Sequence, residues 1–266
     1  MPEQFTFQLG DNAARIYEEQ KVPSMFRSLA EATLRQVEVP EGAHVTDIAC
    51  GIGIVGRLIV EKVGKSGSVT GVDLNAGMIE VAKRSQPSGV KWHQEDVTAL
   101  PFPDASFEMA FCQQGLQFFP DKVAALSEVR RVLKPDGTLI LTVWSAVPAL
   151  GAAMPEGLGR YVSSEAAKSA LGPFMFNDLE IIKALFIESG FPDIETETLV
   201  VERIIGPARE SIPLELGGGG FADDIEKLDS ATKAALIDGI GEALKDYRKD
   251  DGFSIPQSTH LIRATA

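Results

Sequence analysis

Asp47-Ile48-Ala49-Cys50-Gly51-Ile52-Gly53-Ile54-Val55-Gly56 is the stretch on which the reading of this chain turns. Residues 44–49 read as a strand. Ile54, Val55, Leu58, Ile59 and Val63 then recur on one face of a helix that Gly64 ends. Between the two, Gly51, Gly53 and Gly56 spell G-x-G-x-x-G, and an acid, Asp73, follows 20 residues past Gly53. Glycines so placed let backbone turn sharply and approach a ligand at a helix N-terminus. Taken alone, the pattern is the dinucleotide fingerprint. The plainer alternative is a tight strand-to-helix turn that holds no ligand.

Outward from this stretch, short apolar runs alternate with helical periods. Residues 68–72 read as a second strand, followed by a helix from about Ala76 to Arg84 with Asn75 as its cap. A third strand falls near Val90–His93 and a fourth near Phe107–Cys112. A helix over Lys122–Leu133 follows, then a Pro135-Asp136-Gly137 turn and a fifth strand, Thr138–Trp144. Two helices, about 11–20 and 23–38, precede this core. After it, residues 145–176 mix Pro, Gly and small apolar residues and read as an excursion from the sheet. Asn177-Asp178-Leu179-Glu180 fits a capping box opening a helix to about Ser189. Ile194–Ile205 reads as a sixth strand, Gly217–Gly220 as a hinge, about Asp223–Arg248 as an acidic amphipathic helix, and Ser258–Ala264 as the last strand. The alternation predicts an α/β fold with a largely parallel sheet, in one domain over residues 1–266.

The balance of 25 basic against 38 acidic residues leaves a formal charge of −13, which counts against nucleic acid or an anionic membrane as the main partner. Two cysteines, Cys50 and Cys112, build neither a disulfide framework nor a zinc site, and no metal centre is expected. The first residues lack the basic and apolar regions of a signal peptide, and no apolar run reaches the ~18 residues of a membrane span. A cytoplasmic location is the expectation.

Three features move the glycine loop away from a nicotinamide cofactor. Asp47 sits at the end of the first strand, unfavourable beside a pyrophosphate but suited to an ammonium group. A second acid, Asp96, follows the third strand. Leu100-Pro101-Phe102-Pro103-Asp104-Ala105-Ser106-Phe107 leads into the fourth strand, and Arg130 to Leu139 (Arg-Arg-Val-Leu-Lys-Pro-Asp-Gly-Thr-Leu) into the fifth. Over about residues 43–144 the chain resembles the class I S-adenosylmethionine (SAM)-dependent methyltransferases, in the type 11 group that includes the ubiquinone/menaquinone-pathway C-methyltransferases. The resemblance implies a Rossmann-like seven-stranded sheet of order 3-2-1-4-5-7-6 with the last strand antiparallel.

It also implies roles. Asp47 matches the acid at the end of strand one, and the loop from Ala49 through Cys50 and Gly51 to Gly53 wraps the methionine part of SAM. Asp73 matches the acid that binds both ribose hydroxyls. Leu74 and Met78 would line the adenine, which Asp96 and the Val97 backbone would read. Cys112, Gln113 and Gln114 match the stretch beside the sulfonium and the acceptor, and Tyr17 a residue over the methionine moiety. Two positions depart from the pattern: Ala49 replaces a common glycine, and Glu108 an aspartate. No Asn/Asp-Pro-Pro-Tyr/Phe stretch follows strand four, which weighs against methylation of an adenine or glutamine amino group.

Among the histidines, His44 and His93 read as structural, and His260 is the candidate catalytic or acceptor-orienting group because an antiparallel last strand would begin at the active-site edge. The cysteines read as small buried residues. The expected activity is methyl transfer from SAM to a small apolar or aromatic acceptor, releasing S-adenosylhomocysteine. The acceptor pocket is expected from residues 11–38, 145–176 and 207–250, with Phe26, Met154, Tyr161, Phe174, Met175, Phe176 and Phe221 on them and the two later segments as a cover. The alternatives are a SAM-binding sensor or assembly protein without transfer activity, a nicotinamide-dependent oxidoreductase, and a nucleic-acid methyltransferase.

Overall fold

The computed structural model describes residues 24–84, 89–217 and 219–266. The helix expected over about 11–20, Tyr17 and Gly218 lie outside the described residues. In chain order the elements are α1 (Arg27–Gln36), β1 (His44–Ile48), α2 (Ile54–Val63), β2 (Ser68–Asp73), α3 (Ala76–Arg84), β3 (Val90–Gln94), β4 (Phe107–Gln113), α4 (Lys122–Val132) and β5 (Leu133–Trp144). Then follow α5 (Ala149–Tyr161), α6 (Ser164–Leu171), α7 (Leu179–Glu188), β6 (Asp193–Ile205), α8 (Ala208–Leu216), α9 (Ala222–Glu226), α10 (Ser230–Ala243), β7 (Arg248–Lys249) and β8 (Gly252–Thr265).

The sheet runs β3-β2-β1-β4-β5-β8-β6, parallel from β3 to β5, with β8 antiparallel to both β5 and β6. This is the expected 3-2-1-4-5-7-6 order, with a two-residue strand, β7, added as a hairpin partner of β8. Both faces are covered, so the central strands are apolar on both sides. On β4, Met109 and Phe111 pack with α1, α2 and α3, while Ala110 and Cys112 pack with α4 and α7. That is the period of two a strand imposes. The order reverses between β1 and β4, where the connections leave to opposite sides and open a crevice beyond the carboxyl ends of the strands.

Trp92 of β3 lies across the glycine loop. A Cβ on Gly53 would come within 2.0 Å of its ring, one on Gly71 within 2.3 Å, and one on Gly56 would touch it at 3.4 Å. Gly53 also has φ +82°, which favours glycine, so spacing and ring packing fix this turn together.

Several boundaries differ from expectation. β5 begins at Leu133, because Asp136 takes φ +64° and the Pro135-Asp136-Gly137 turn is absorbed where the β4–β5 register shifts. Asp178, not Asn177, caps α7 and accepts from the Glu180 and Ile181 amides. The helix expected over 223–248 is broken: Asp229 accepts from the Thr232 amide and starts α10 afresh. β8 begins at Gly252, not Ser258, because it pairs along all of β6.

Beyond the sheet, α5, α6, α8 and α10 enclose a core of their own around Leu150, Leu158, Ile212, Leu236 and Ile240, joined to the sheet through Ile205, Phe253 and Ile255. Arg203 of β6 and Glu215 of α8, both buried, form an ion pair inside this region.

Candidate functional site

The crevice is a cleft of about 340 Å³. Asp47, Ala49, Cys50, Gly51, Asp73, Leu74, Met78, Asp96, Val97, Gln113 and Gln114 all line it. Each comes from the end of β1, β2, β3 or β4 or from the residues just beyond, except Met78, which lies on α3. Gly53 does not line it; its part is to cap α2 beneath Trp92.

Backbone amides hold the carboxylates. Asp47 accepts from the Gly56 amide at 2.9 Å and is almost wholly buried. Burial pushes its carboxyl up to about 7, with that amide opposing and Asp73 adding to the rise. Asp73 accepts from the Gly51 amide and the Asn75 amide, each at 2.8 Å, while burial raises it against those bonds. One carboxylate thus pins the glycine loop to the start of α3. Asn75 caps α3 through the Met78 amide at 3.2 Å, as expected. Asp96 accepts from the Thr98 amide and hydroxyl, each at 2.8 Å.

Two residues here hold backbone that a side chain disfavours: Ala49 at φ 52° and Gln114 at φ 55°, at the ends of β1 and β4. Such strain collects at functional sites. Ala49 explains the glycine at 115, since a Cβ on Gly115 would come within 2.7 Å of the Ala49 Cβ. A Cβ on Gly51 would meet no protein atom within 4 Å, so that glycine leaves room in the cleft. Burial pushes Cys112 up to about 12 and Cys50 well above its usual range, so both thiols stay protonated near neutrality.

Apart from Asn75, Glu95 and Gln117, the remaining wall is apolar. Met25 and Phe26 precede α1; Phe118, Phe119 and Pro120 follow β4; Trp144 ends β5; Pro173 and Phe174 follow α6. The Trp144 and Phe174 rings stand 5.5 Å apart. Of the residues expected in an acceptor pocket, Phe26 and Phe174 line the cleft. Met154 and Phe221 are instead buried in the core around α5, and no described residue of 207–250 reaches the cleft. That segment packs against α5 and β8, which a hinge-based reading of its glycines overlooked. His260 does not line the cleft either. Because β8 starts early, His260 falls within the strand opposite Val143, and its Nε2 lies 3.1 Å from the Asn177 carbonyl. Sequence reasoning missed Trp144, Pro173 and Gln117. The rule that ligands sit beyond strand carboxyl ends points to Trp144, but no local pattern marks the other two.

Among the described residues no group of His, Cys, Asp and Glu is arranged to hold a metal, and no helix is long and apolar enough to cross a membrane. A methyltransferase-domain family model matches residues 46–141. A demethylmenaquinone methyltransferase of Staphylococcus epidermidis is 32% identical over 173 residues, covering 59% of this chain and 71% of that one. The chain belongs to the class I SAM-dependent methyltransferases, in the type 11 group. SAM is its cofactor.

The ubiquinone/menaquinone biosynthesis C-methyltransferase UbiE of Xanthomonas oryzae is 40% identical over 117 residues, 42% of this methyltransferase and 46% of UbiE. Solved structures share the fold. The YcgJ protein of Bacillus subtilis matches with TM-score 0.59 at 20% identity, over 89% of this chain and 97% of that one. A Haemonchus contortus phosphoethanolamine N-methyltransferase 2, crystallised with S-adenosylhomocysteine, matches with TM-score 0.60 at 23% identity, over 99% and 58%.

Proposed function

We propose that this methyltransferase transfers a methyl group from SAM to a small aromatic acceptor of the quinone type, with residues 43–144 holding the cofactor and Met25, Phe26, Trp144, Pro173 and Phe174 enclosing the acceptor. The observation that carries the reading is the division of the cleft. Carboxylates and loop amides stand on the β1–β3 side, and aromatic rings on the β4–β5 side. The names of the relatives, demethylmenaquinone and ubiquinone/menaquinone methyltransferases, favour the same acceptor class.

The residues suit the cofactor. Asp47 is a buried carboxylate with the Gly56 amide as its hydrogen-bond donor, and a ligand ammonium would supply the missing charge. Asp73, oriented by two amides, keeps lone pairs for the ribose hydroxyls. Leu74, half exposed at the rim, and buried Met78 offer apolar surface to the adenine, with Asp96 and Val97 at its edge. Gly51 leaves space for the methionine chain beside Ala49, Cys50 and Gln113.

When bound, SAM supplies a methyl group already activated by its sulfonium. The chain's work is then to place the acceptor in line and keep water out. Incubation with methyl-labelled SAM and a panel of naphthohydroquinones, phenols and small amines tests the reading. Label is expected in the hydroquinone or phenol, with release of S-adenosylhomocysteine. Label in amines alone would overturn the acceptor class, and tight S-adenosylhomocysteine binding without turnover on any panel member would favour a sensor.

A further inference from the structure

His260 stands on an inner strand, with Val143 of β5 on one side and Thr198 of β6 on the other. The next two residues on its face of β8, Ile262 and Ala264, are buried in the apolar core. A polar ring placed there costs free energy unless its nitrogens are bonded. Nδ1 is buried and has no hydrogen-bond partner among the described residues, so the one polar contact of the ring is that of Nε2 with the Asn177 carbonyl, at 3.1 Å. A carbonyl can only accept, so Nε2 carries the hydrogen. Nδ1, the nitrogen left as a base, is enclosed by protein on a residue that does not line the cleft. His260 is therefore no base for the acceptor.

Asn177 passes the contact on. Its Nδ2 donates to the Phe174 carbonyl at 2.9 Å. In the connection from α6 to α7, Pro173 and Phe174 line the cleft, whereas Met175, next along, is largely exposed. The Phe174 ring fits between the Trp144 ring, 5.5 Å away, and Gly151 of α5, where a Cβ would come within 2.8 Å of it. Phe176 is secured separately. The Lys122 ammonium lies 4.8 Å from its ring and donates to the Phe119 carbonyl at 2.8 Å. The two bonds that start at His260 are thus directed at Phe174.

We propose that His260 is a positioning residue for the acceptor: through Asn177 it sets the backbone of Phe174, and with it the ring that closes the cleft against Trp144. This rests on the aromatic-acceptor reading above and adds what holds one of the enclosing rings in place. A wall that shifts by an ångström loosens the in-line placement on which transfer depends. The histidine acts on that wall from the far side, two hydrogen bonds away from the cleft.

The test compares His260→Leu, which removes the donor, with His260→Gln, which can present an N–H to Asn177 again. Hydrogen exchange of the amides of residues 172–178 and equilibrium dialysis of 1-naphthol are measured on the full chain saturated with S-adenosylhomocysteine, whose own affinity is measured by calorimetry. His260→Leu should speed exchange over that stretch. It should also weaken 1-naphthol by about two- to tenfold, the range that loss of one hydrogen bond allows, and leave S-adenosylhomocysteine within about twofold. His260→Gln should return both readouts toward the native values. Asn177→Ala keeps the backbone carbonyl for His260 but cuts the link to Phe174, so it should weaken 1-naphthol in the same way, and it carries the test if His260→Leu does not fold. Unaltered 1-naphthol binding in these variants, or equal weakening of 1-naphthol and S-adenosylhomocysteine, would overturn the role of His260. If the native protein binds no 1-naphthol, the aromatic-acceptor reading falls. Exchange over 172–178 then decides the role of His260 alone: faster in His260→Leu and restored in His260→Gln upholds its hold on Phe174, and no change removes it.

Discussion

The two walls of the cleft are built on opposite plans. The β1–β3 wall is made of loop backbone held by carboxylates: Asp47 on the Gly56 amide, Asp73 on those of Gly51 and Asn75, Asp96 on Thr98. The opposite wall is made of rings, Phe26, Phe118, Phe119, Trp144 and Phe174, with Phe174 lying against Gly151 of α5. A ligand with fixed chemistry needs donors and acceptors at set positions, and these require particular residues at particular spacings. An apolar ligand needs volume and dryness, which many residue sets supply. One half of the molecule is therefore specific in composition, and the other specific only in shape.

The largest test of this contrast strikes the apolar half at its buried charge. Glu215→Ala should destabilise the fold by about 3–5 kcal/mol, because it withdraws the carboxylate that faces the buried Arg203 guanidinium. Urea unfolding measures this, and a loss below about 1 kcal/mol would mean that the helical region is not held by that pair. Next comes the glycine loop. Gly53→Ala combines left-handed backbone with a methyl driven into the Trp92 ring, and should cost about 2–4 kcal/mol by the same assay. A neutral result would show that Trp92 moves aside freely.

Asp73→Ala sharpens the comparison at the level of the ligand. Hydrogen bonds to a charged group contribute about 1.5–3 kcal/mol, so S-adenosylhomocysteine should bind at least tenfold more weakly by calorimetry. Acceptor-analogue binding should change much less. The last test works through pH. Asp47 has a carboxyl raised from 3.8 to about 7, so the native state binds more protons than the unfolded chain in that interval. Ligand-free stability should therefore fall as pH rises from about 4 to about 7. An ammonium ligand prefers the ionised form, so S-adenosylhomocysteine affinity should climb over the same interval, by up to about tenfold per pH unit, then level off. Proton release on binding, measured in buffers of different ionisation enthalpy, should vanish in Asp47→Asn. Persistence in that variant would move the titration to another group.

The same contrast governs what could be read from the chain before folding. Gly51, Gly53, Gly56, Asp47, Asp73 and Asp96 are close in sequence to the strand ends that carry them, so spacing and the family resemblance together located that wall. Regular alternation predicted the α/β class with a largely parallel sheet, and the family resemblance supplied the strand order. Trp144, Pro173 and Gln117 are brought together only by the sheet, from a strand end and two connections with no shared pattern. His260 was misplaced because the start of β8 depends on its pairing with all thirteen residues of β6, a long-range register that no local window contains. The glycines of 217–220 suggested a moving cover, yet the helices on either side of them, α8 and α10, share one apolar core with α5.

The position of Trp92 has an optical consequence. The chain has two tryptophans, and they fall one to each wall: Trp92 behind the glycine loop, Trp144 in the ring-lined side. Their emission will therefore report separate events. With Trp144→Phe, the remaining indole, packed on the glycine loop, senses S-adenosylhomocysteine; with Trp92→Phe, it senses the arrival of an aromatic partner. Stopped-flow fluorescence on the two variants can then time the filling of each half and establish which ligand enters first.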